Sequence, residues 1–431
     1  MKEIELKNLK GTTDFKPDEQ ALRDDIIGKL KQIFRSYGYM PLETPILNSF
    51  DLLKYKYSDD AEILNEVYKL KDQGNRDIGL RFDLTVPFCK FIGLNKDLTM
   101  PFRRYEIGKV FRDGPVKLGR AREFYQCDVD VVGLDGRFIE IEQMQMVINA
   151  FHSLGIDIVI KWNNRKLMTG LLQYLGICED KINSCISLID RLSKITKQEL
   201  YEEFDKFEIK SSQVDELLDM FNKSLSEYIT IFASSTNETL NEGIRECQII
   251  DELIKKLNLE NNTAFSPTLA RGLGIYTGTI FEFFDKQNRI TSSLGGGGRY
   301  DKIITGFMNN GLSYPACGLT FGLEPIYAIL QSNYNENFVD VLIVPMGTEV
   351  KCLGIANKLR SVGANVVTDL TGKKIKKAFE YANKLNIKYV MVIGENEINE
   401  NKYSLKDMSL GEQVTLNEND LIETIKKYKT K

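Results

Sequence analysis

Two long runs of β-forming residues, joined by a loop that holds glycine and proline, constrain the fold of this chain most. The runs are FRRYEIGKVFRD and REFYQCDVDVVG, and a third run, IGLRFDLTVP, precedes them within residues 77–133. Runs of this kind, bounded by turn residues, are typical of a largely antiparallel sheet. The sequence therefore predicts that all three runs are strands of one such sheet.

Helical spacing appears on both sides of these runs. Residues 18–37 carry apolar side chains on one face of an amphipathic helix, and Pro17 suits the start of that helix. Residues 164–259 show the same spacing with few glycines and no strand alternation, so we expect an inserted helical domain there. Strands return at TGTIFEFF and at the glycine run 295–298.

The last part of the chain has a different organisation. After the polar segment SNYNENF, strand and helix patterns alternate as VDVLIVP, helix 351–362, ANVVTDL, helix 373–385 and KYVMVIG. This alternation predicts a small α/β domain with parallel strands. Residues 338–431 hold 15 Lys and Arg against 12 Asp and Glu, whereas the whole chain has a net charge of −4. The basic balance permits a polyanionic partner, and it is equally consistent with a solvated surface.

Composition excludes several kinds of chemistry. The 431 residues predict two or three domains, and they include a single histidine, His152. Ser-His and Cys-His nucleophile pairs and multi-histidine metal sites therefore lose their main residue. His152 closes an apolar helical pattern, where a cation suits the C-terminal end of a helix, so we interpret it as structural.

The cysteines and the hydropathy pattern indicate where the chain resides. Seven cysteines are dispersed without a CxxC pair, which argues against a disulfide framework and a structural zinc site. No apolar run approaches the roughly 20 residues that span a bilayer, and MKEIELKNLKGTTDF lacks the apolar core of a signal peptide. We expect a soluble cytoplasmic protein without a membrane partner.

The hairpin FRDGPVKLGRAREFYQCDVD carries the first set of candidate functional residues. Arg112, Arg120 and Arg122 surround the loop, and guanidinium groups suit phosphate oxygens because they can bind in bidentate fashion. Gln126, Asp128 and Asp130 alternate along the second run and so share one face. These groups could bind a zwitterion and a triphosphate together, or they could be surface ion pairs of an ordinary hairpin.

Two glycine-containing segments carry the other candidates. In LARGLGIYTGTIFE, Arg271 stands between small residues that allow close approach of a ligand, and Tyr276 offers an apolar ring with a polar tip. The run 295–298 is followed by Arg299, Tyr300 and Asp301. Because neither a P-loop nor a Rossmann spacing follows, the four glycines are either a phosphate cradle or a closely packed strand.

Together these motifs resemble the histidyl-tRNA synthetase family of class II aminoacyl-tRNA synthetases, and the resemblance covers nearly the whole chain. The chain's LKGTTDF is similar to the family's entry segment, and ETPIL resembles motif 1, a dimer-interface element. The segment FR…GRAREFYQCDVD resembles motif 2, and LARGLGIYTG with GGGRYD resembles the histidine-specific motifs. GKKIKKAFEYANKLNIKYVMVIGENEI…SLKDMSLGEQ is similar to the anticodon-binding domain.

The resemblance implies an α+β fold with three parts. These are an antiparallel-sheet catalytic domain of residues 1–163 and 260–330, a helical insertion domain of residues 164–259 and a C-terminal α/β anticodon-binding domain of residues 338–431. It also implies the reaction, in which L-histidine and ATP form histidyl-adenylate and histidine then passes to the 3′ end of tRNA(His). ATP is the second substrate, Mg²⁺ is expected with it, and a homodimer is expected from motif 1.

The resemblance also implies a role for each matching residue. Asp83, Thr85 and Gln126 would hold the α-amino group of histidine, and Asp130, Tyr276 and Tyr300 would surround its imidazole. Arg112 would bind the α-phosphate region of ATP, and Arg271 would bridge the histidine carboxylate and that phosphate, so that these two arginines would be catalytic. Glu123 and Glu324 would lie at the ATP site, and the loop 113–119 would meet the tRNA acceptor stem. No resident metal site is implied.

Attack by the carboxylate of an amino acid needs no general base, because that carboxylate is already ionised at neutral pH. Alignment and charge stabilisation by arginines can therefore carry such a reaction in a chain that is nearly free of histidine.

Three positions depart from the family pattern. Pro325 follows Glu324 where the family has arginine, and Gly274 and Ile275 replace an acid and a tyrosine. These departures leave room for a second hypothesis, a non-catalytic synthetase-like subunit such as the regulatory subunit of ATP phosphoribosyltransferase, with a histidine-sensing site. Such a subunit would lack the motif 2 arginines and the anticodon-binding domain, and this chain keeps both. A third hypothesis, a tRNA-binding module without catalysis, leaves Arg112 and Arg271 unexplained.

Overall fold

The computed structural model describes residues 5–55, 62–116, 120–271, 274–308, 310–334, 337–372 and 374–430. These residues form two compact units, residues 1–333 and residues 334–431. The helices of the first unit are α1 Pro17–Ser36, α2 Phe50–Lys54, α3 Glu62–Asn65, α4 Thr85–Leu94, α5 Phe138–Ser153, α6 Arg165–Tyr174, α7 Glu179–Ile189, α8 Lys197–Asp205, α9 Ser211–Met220, α10 Leu225–Ile231, α11 Glu238–Lys256, α12 Asp301–Met308 and α13 Leu323–Leu330. Its strands are β1 Met40–Pro41, β2 Leu47–Ser49, β3 Lys69–Lys71, β4 Asp77–Leu80, β5 Phe102–Phe111, β6 Glu123–Val132, β7 Ile158–Asn164, β8 Thr263–Phe265, β9 Thr279–Asp285, β10 Gly295–Arg299 and β11 Ala316–Gly322.

An eight-stranded sheet forms the centre of the first unit. Its strand order is β1-β5-β6-β11-β10-β9-β7-β8, and all neighbours are antiparallel except β1 with β5 and β7 with β8. The two runs that dominate the sequence form β5 and β6, which pair from Phe102 with Val132 to Phe111 with Glu123. The predicted α+β class with a largely antiparallel sheet is therefore confirmed.

Helix α1 covers one face of this sheet. Leu22, Ile26, Leu30 and Phe34 recur on one side of the helix and are buried. The Phe34 ring lies 5.5 Å, between centroids, from the ring of Phe321 on β11. The predicted amphipathic helix thus supplies one wall of the core under the sheet.

The run IGLRFDLTVP is not one strand, so this part of the prediction is wrong. Only its beginning forms β4, which pairs with β2 and β3 in a separate three-stranded sheet, and its end opens helix α4 at Thr85. The Oδ1 atom of Asp83 accepts a hydrogen bond from the backbone N–H of Val86 at 3.0 Å. Pro87 lies in the first helical turn, where a missing N–H leaves no hydrogen bond unmade.

The glycine run is a closely packed strand, which confirms the second of its two interpretations. Strand β10 lies between β9 and β11 in the middle of the large sheet. A Cβ atom on Gly297 would lie 2.0 Å from the carbonyl oxygen of Gly318 on β11. No residue larger than glycine fits there, because the neighbouring backbone occupies the space.

Helices α6–α11 lie between β7 and β8 in the chain, within residues 164–259. Helices α6 and α11 approach each other at two glycines: a Cβ atom on Gly243 would lie 2.2 Å from the backbone nitrogen of Leu167, and one on Gly170 would lie 2.4 Å from Leu240. The status of this helical segment as a separate domain stays a prediction, since residues 1–333 form one compact unit.

The second unit has its own sheet and core. Its strands are β12 Val341–Pro345, β13 Val366–Thr368, β14 Tyr389–Ile393, β15 Tyr403–Asp407 and β16 Gln413–Leu416, and its helices are α14 Glu349–Ser361, α15 Ile375–Lys384, α16 Glu395–Asn399 and α17 Glu418–Lys429. The three strands predicted from the sequence pair in parallel in the order β13-β12-β14. Strands β15 and β16 extend the sheet in antiparallel fashion. Lys373, the first residue of the predicted helix 373–385, lies outside the described residues.

None of the helices in the described parts of the chain combines the length and the apolar composition that a membrane crossing requires.

Candidate active site

A pocket opens on the face of the large sheet that carries the alternating residues of β6. Strands β6, β10 and β11 form its floor, and the start of α4 and the segment before β9 form its walls. Its lining residues are Phe82, Asp83, Thr85, Arg112, Gln126, Asp128, Asp130, Arg271, Ile275, Tyr276, Gly296, Gly297, Tyr300, Gly318, Leu319 and Thr320. Every residue that the sequence assigned to histidine lines this one pocket, although these residues come from four separate segments of the chain.

Asp130 and Tyr300 form one end of the pocket. The Tyr300 hydroxyl donates a hydrogen bond to Oδ1 of Asp130. Burial raises the pKa of Tyr300 well above its usual range, and the neighbouring Asp130 carboxylate adds to the rise. The tyrosine therefore keeps its proton and remains a donor at neutral pH.

A buried ion network holds Asp130 from below. Nη2 of Arg104 lies 2.7 Å from Oδ2 of Asp130, and Arg104 is fully buried. Nη1 of Arg104 lies 3.6 Å from Oε2 of Glu106, whose Oε1 accepts a hydrogen bond from Nη1 of Arg81 at 2.9 Å. Thr44 completes the network by donating its backbone N–H to the same Glu106 oxygen at 2.9 Å. A carboxylate held in this way keeps one orientation, which is a requirement for selective binding.

The two arginines predicted to be catalytic both line the pocket, and each is held by different neighbours. Nε of Arg112 donates to the carbonyl oxygen of Phe82 at 3.0 Å, and its Cζ lies 5.2 Å from the centroid of the Phe124 ring. Nη1 of Arg271 donates to Oε1 of Glu282 at 3.3 Å, and its Cζ lies 5.4 Å from the Tyr276 ring centroid. Both guanidinium groups line the same space and can act together on one anionic ligand.

Two predicted ATP contacts, Glu123 and Glu324, do not line the pocket. Glu123 pairs with Lys109 across the β5–β6 hairpin. Oε1 of Glu324 accepts from Nη2 of Arg23 at 2.8 Å and from the backbone N–H of Tyr125 at 3.3 Å. Arg23 belongs to helix α1, and its Cζ lies 5.6 Å from the centroid of the Tyr125 ring, on the face of the sheet opposite to Gln126. Glu324 is therefore held on the side of helix α1. The roles of both glutamates at ATP stay predictions.

Pro325 stands where the family pattern has arginine, so another arginine, such as Arg299 or Arg122, would have to supply that cation to the pocket. The Cγ of Pro325 would lie 2.7 Å from a Cβ atom on Gly322, at the end of β11. Arg299 is fully buried and pairs with Glu140, with 2.7 Å between Nε and Oε1. Arg122 pairs with Asp113 at the hairpin loop, with 3.0 Å between Nη2 and Oδ1. Both of these arginines are thus engaged elsewhere.

Three parts of the predicted site fall outside the described residues. These are residues 117–119 of the hairpin loop, and Gly272 and Leu273 directly after Arg271. The predicted contact of the loop 113–119 with an acceptor stem stays a prediction for the same reason.

The sequence did not single out two residues that complete the site. Thr320, the cross-strand neighbour of Asp128, lines the pocket, and Arg104 lies beneath it. Asp128 lines the pocket with Gln126 and Asp130, as their alternation on β6 predicted, although no individual role was predicted for it. Alternation along β5 places Arg104, Glu106 and Gly108 on one face, which is the signal that could have identified the network. Among the described residues, Gln126 Oε1, Asp128 Oδ1 and Thr320 Oγ1 are buried polar atoms without a hydrogen-bond partner. Such atoms at one pocket indicate a polar ligand that satisfies them.

The Histidyl-tRNA synthetase family model matches residues 11–326, and the Anticodon binding domain model matches residues 340–428. Histidine–tRNA ligase 1 of Bacillus anthracis is 43% identical over 417 residues, covering 95% of this chain and 97% of that protein. The crystal structure of histidyl-tRNA synthetase from Nostoc sp. PCC 7120 has a TM-score of 0.85 at 30% identity, covering 99% of this chain and 100% of that chain.

A structure described as an ATP phosphoribosyltransferase regulatory subunit/histidyl-tRNA synthetase from Bacillus halodurans C is also similar. It has a TM-score of 0.76 at 20% identity and covers 91% of this chain and 99% of that chain. At this identity the likeness shows a shared fold alone.

Proposed function

The chain belongs to the histidyl-tRNA synthetase family and is an aminoacyl-tRNA ligase for histidine, and we propose that the pocket between Arg112 and Arg271 is its active site. In the first step a carboxylate oxygen of L-histidine attacks the α-phosphorus of ATP. A new bond joins that oxygen to phosphorus, the bond to the bridging oxygen of pyrophosphate breaks, and pyrophosphate leaves. In the second step a 3′-terminal hydroxyl of tRNA attacks the carbonyl carbon of the adenylate. An ester bond forms, the bond between that carbon and the phosphate oxygen breaks, and AMP and the hydroxyl proton leave.

One observation carries this proposal: two arginines, Arg112 and Arg271, line the same pocket as the carboxylates of Asp83, Asp128 and Asp130. The arginines suit the substrate carboxylate and the α-phosphate, which are both anionic. Arg271, beside Tyr276, would bridge those two anions and stabilise the charge that develops as the new bond forms, while Arg112 would also bind the phosphate. A regulatory subunit that only senses histidine would have no use for two arginines aimed at a phosphate.

The histidine subsite is proposed at the carboxylate end of the pocket. Asp130 and the Tyr300 and Tyr276 hydroxyls would read the imidazole, while Asp83, Thr85 and Gln126 would hold the ammonium group. A polar subsite that is satisfied only by histidine would reject analogues that lack these groups, because they would leave buried polar atoms unpaired.

Mg²⁺ is proposed to arrive on the phosphates of ATP. Mg²⁺ usually keeps several waters and binds through substrate phosphates plus one or two carboxylates. Within the described residues, no group of three or more His, Cys, Asp or Glu side chains forms a cage for a metal. The bound ion would neutralise phosphate charge, and the arginines would align the reacting groups.

Two partners are proposed for the protein, a tRNA substrate and a second copy of the chain. The anticodon-binding domain of residues 340–428 supports tRNA(His) as the third substrate. A homodimer is proposed because the motif 1 segment exposes apolar side chains: Met40, Ile46 and Leu47 are 50%, 41% and 53% exposed. We place the protein in the cytoplasm, where its tRNA substrate resides. The mass of the purified protein in solution tests the dimer directly.

Histidine-dependent exchange of radiolabelled pyrophosphate into ATP tests the proposal. The wild-type protein should support exchange and then charge tRNA(His), and Mg²⁺ chelation should stop both reactions. Arg271→Ala should abolish exchange with the fold intact. Arg289→Ala is the matched control, since Arg289 pairs with Asp285, with 2.8 Å between Nη2 and Oδ1, and does not line the pocket. Binding of histidine without exchange in the wild-type protein would favour the regulatory alternative.

A further inference from the structure

Asp128 is a pocket residue for which neither the family pattern nor the mechanism above supplies a role. It lies between Gln126 and Asp130 on β6 and faces the pocket with them. The side chain is 4% exposed, and its Oδ1 has no hydrogen-bond partner among the described residues. A buried carboxylate oxygen in that state is costly unless a ligand supplies a donor.

The carboxylates at this end of the pocket outnumber the arginines that pair with them, and Asp128 is the additional carboxylate. Arg81 pairs with Glu106, and Arg104 pairs with Asp130. The carboxylate of Asp83 lies close enough to disfavour the ionised form of Asp128. This end of the pocket therefore carries more negative than positive charge, which suits a cationic group of the substrate.

The unsatisfied acceptors also match the donors of one particular group. Gln126 Oε1 and Asp128 Oδ1 are both buried and without partners among the described residues, and both line the pocket that Asp83 also lines. A primary ammonium has three N–H donors and no acceptor. Three oxygens from Asp83, Gln126 and Asp128 would satisfy all three donors.

We propose that Asp128 binds the α-ammonium group of L-histidine together with Asp83 and Gln126. This inference rests on the proposed function, since it assigns Asp128 to the histidine subsite of that reaction. Asp128 adds a second carboxylate to the subsite, beside that of Asp83. Thr320, its neighbour on β11, borders the same place.

The test compares two ligands in wild-type protein and in Asp128→Asn by calorimetry. L-Histidinol keeps the ammonium and imidazole groups and lacks the carboxylate, whereas imidazolepropionate keeps the carboxylate and lacks the ammonium. In D128N the Kd of L-histidinol should rise about 10- to 100-fold, which is the effect of losing a hydrogen bond to a charged group. The Kd of imidazolepropionate should stay within about twofold or improve, since its binding does not use Asp128. Asp157→Asn, on the surface, is the matched control.

Each other outcome overturns the assignment. Unchanged affinity for both ligands in D128N would show that Asp128 does not contact the substrate. An equal loss for both would place Asp128 at the imidazole or in the shape of the pocket. Retained binding of imidazolepropionate also shows that the variant is folded. If the wild-type protein binds L-histidinol and performs no pyrophosphate exchange, the proposed function is overturned, and the comparison of D128N with the wild type still tests the assignment of Asp128. If the wild-type protein binds neither ligand, the proposed function and the assignment of Asp128 are both overturned.

Discussion

Arg165 donates a hydrogen bond from Nη1 to the backbone carbonyl oxygen of Arg271 across 3.4 Å. Arg165 is the first residue of α6, and its Nη2 donates to Oδ1 of Asn183 on α7 at 2.8 Å. Burial lowers the pKa of Arg165 to about 10. The group still stays charged at neutral pH. The helical segment after β7 therefore contacts the backbone of Arg271, an arginine of the proposed active site, through a charged donor.

Replacing Arg165 should slow adenylate formation without removing substrate binding. Arg165→Met loses the donor to the Arg271 carbonyl, and misalignment of a catalytic group costs on the order of 10- to 100-fold in kcat. The KM for histidine should change much less, and Arg165→Lys, which keeps a donor, should recover part of the loss. Pyrophosphate exchange kinetics measure this. Arg245→Met, at an exposed position on α11, is the control, and an unchanged kcat in R165M would remove the positioning role.

A methyl group on Gly318 should weaken histidine binding. A Cβ atom there would lie 1.8 Å from Oδ1 of Asp130, so the carboxylate must leave its position beside Tyr300. We expect Gly318→Ala to raise the KM for histidine by at least about tenfold, since a hydrogen bond to a charged group is lost. Gly354→Ala provides a control, because a Cβ atom on Gly354 in α14 meets nothing within 4 Å. A KM equal to that of the wild type would show that Asp130 does not read the substrate.

Removing the charge of Asp128 should stabilise the protein at alkaline pH. Burial raises the pKa of Asp128 to about 7, Asp130 and Asp83 add to the rise, and Arg104 opposes it. Because the folded state keeps a proton that the unfolded state loses near pH 4, the stability of the wild type falls as the pH rises from 4 to 7. Asp128→Asn should therefore have a higher Tm at pH 8, by an amount on the order of 3 °C. The difference should shrink toward pH 4, and an equal difference at all pH values would contradict the titration.

The buried pair of Arg104 and Asp130 should show strong coupling. Arg104→Met leaves a buried carboxylate without its cation, which costs about 3–5 kcal/mol in the free energy of unfolding. The double variant with Asp130→Asn added to Arg104→Met should recover much of that stability, and its histidine-dependent pyrophosphate exchange should stay impaired. Denaturant unfolding of the two single variants and the double variant measures the coupling. Lys255→Met is the control: it breaks the exposed pair with Asp251 and should cost less than about 1 kcal/mol in the free energy of unfolding. Additive effects of the substitutions at Arg104 and Asp130 would contradict the coupling of the two side chains.

Local patterns predicted the elements that depend on neighbours in the chain. The helix beginning at Pro17 follows from the periodicity of its buried apolar face, whereas the strands β5 and β6 follow from runs of β-forming residues that turn residues bound. The end of IGLRFDLTVP was mistaken for strand because the hydrogen bond from Val86 to the Asp83 carboxylate decides between helix and strand there. That bond cannot be read from apolar alternation.

The lining of the pocket was predictable at residues that belong to a family motif, such as Arg112 and Asp130, whose chemical roles stay predictions. Residues that act through others were missed, because their roles depend on contacts across the sheet. Arg104 is such a residue, since its partner Asp130 lies on the neighbouring strand. The role of Glu324 at ATP stays a prediction. Arg23, about 300 residues away in the chain, holds the Glu324 carboxylate, and such a long-range contact leaves no local signal in the sequence.

The only imidazole of the chain is that of His152, which is exposed in the last turn of α5 and does not line the pocket. When L-histidine binds, it brings the one imidazole that the pocket contains. Nuclear magnetic resonance of nitrogen-15-labelled substrate would therefore be free of overlap from active-site histidines. The tautomer and the protonation state of the bound amino acid, which most histidine-containing enzymes obscure, can be observed directly in this protein.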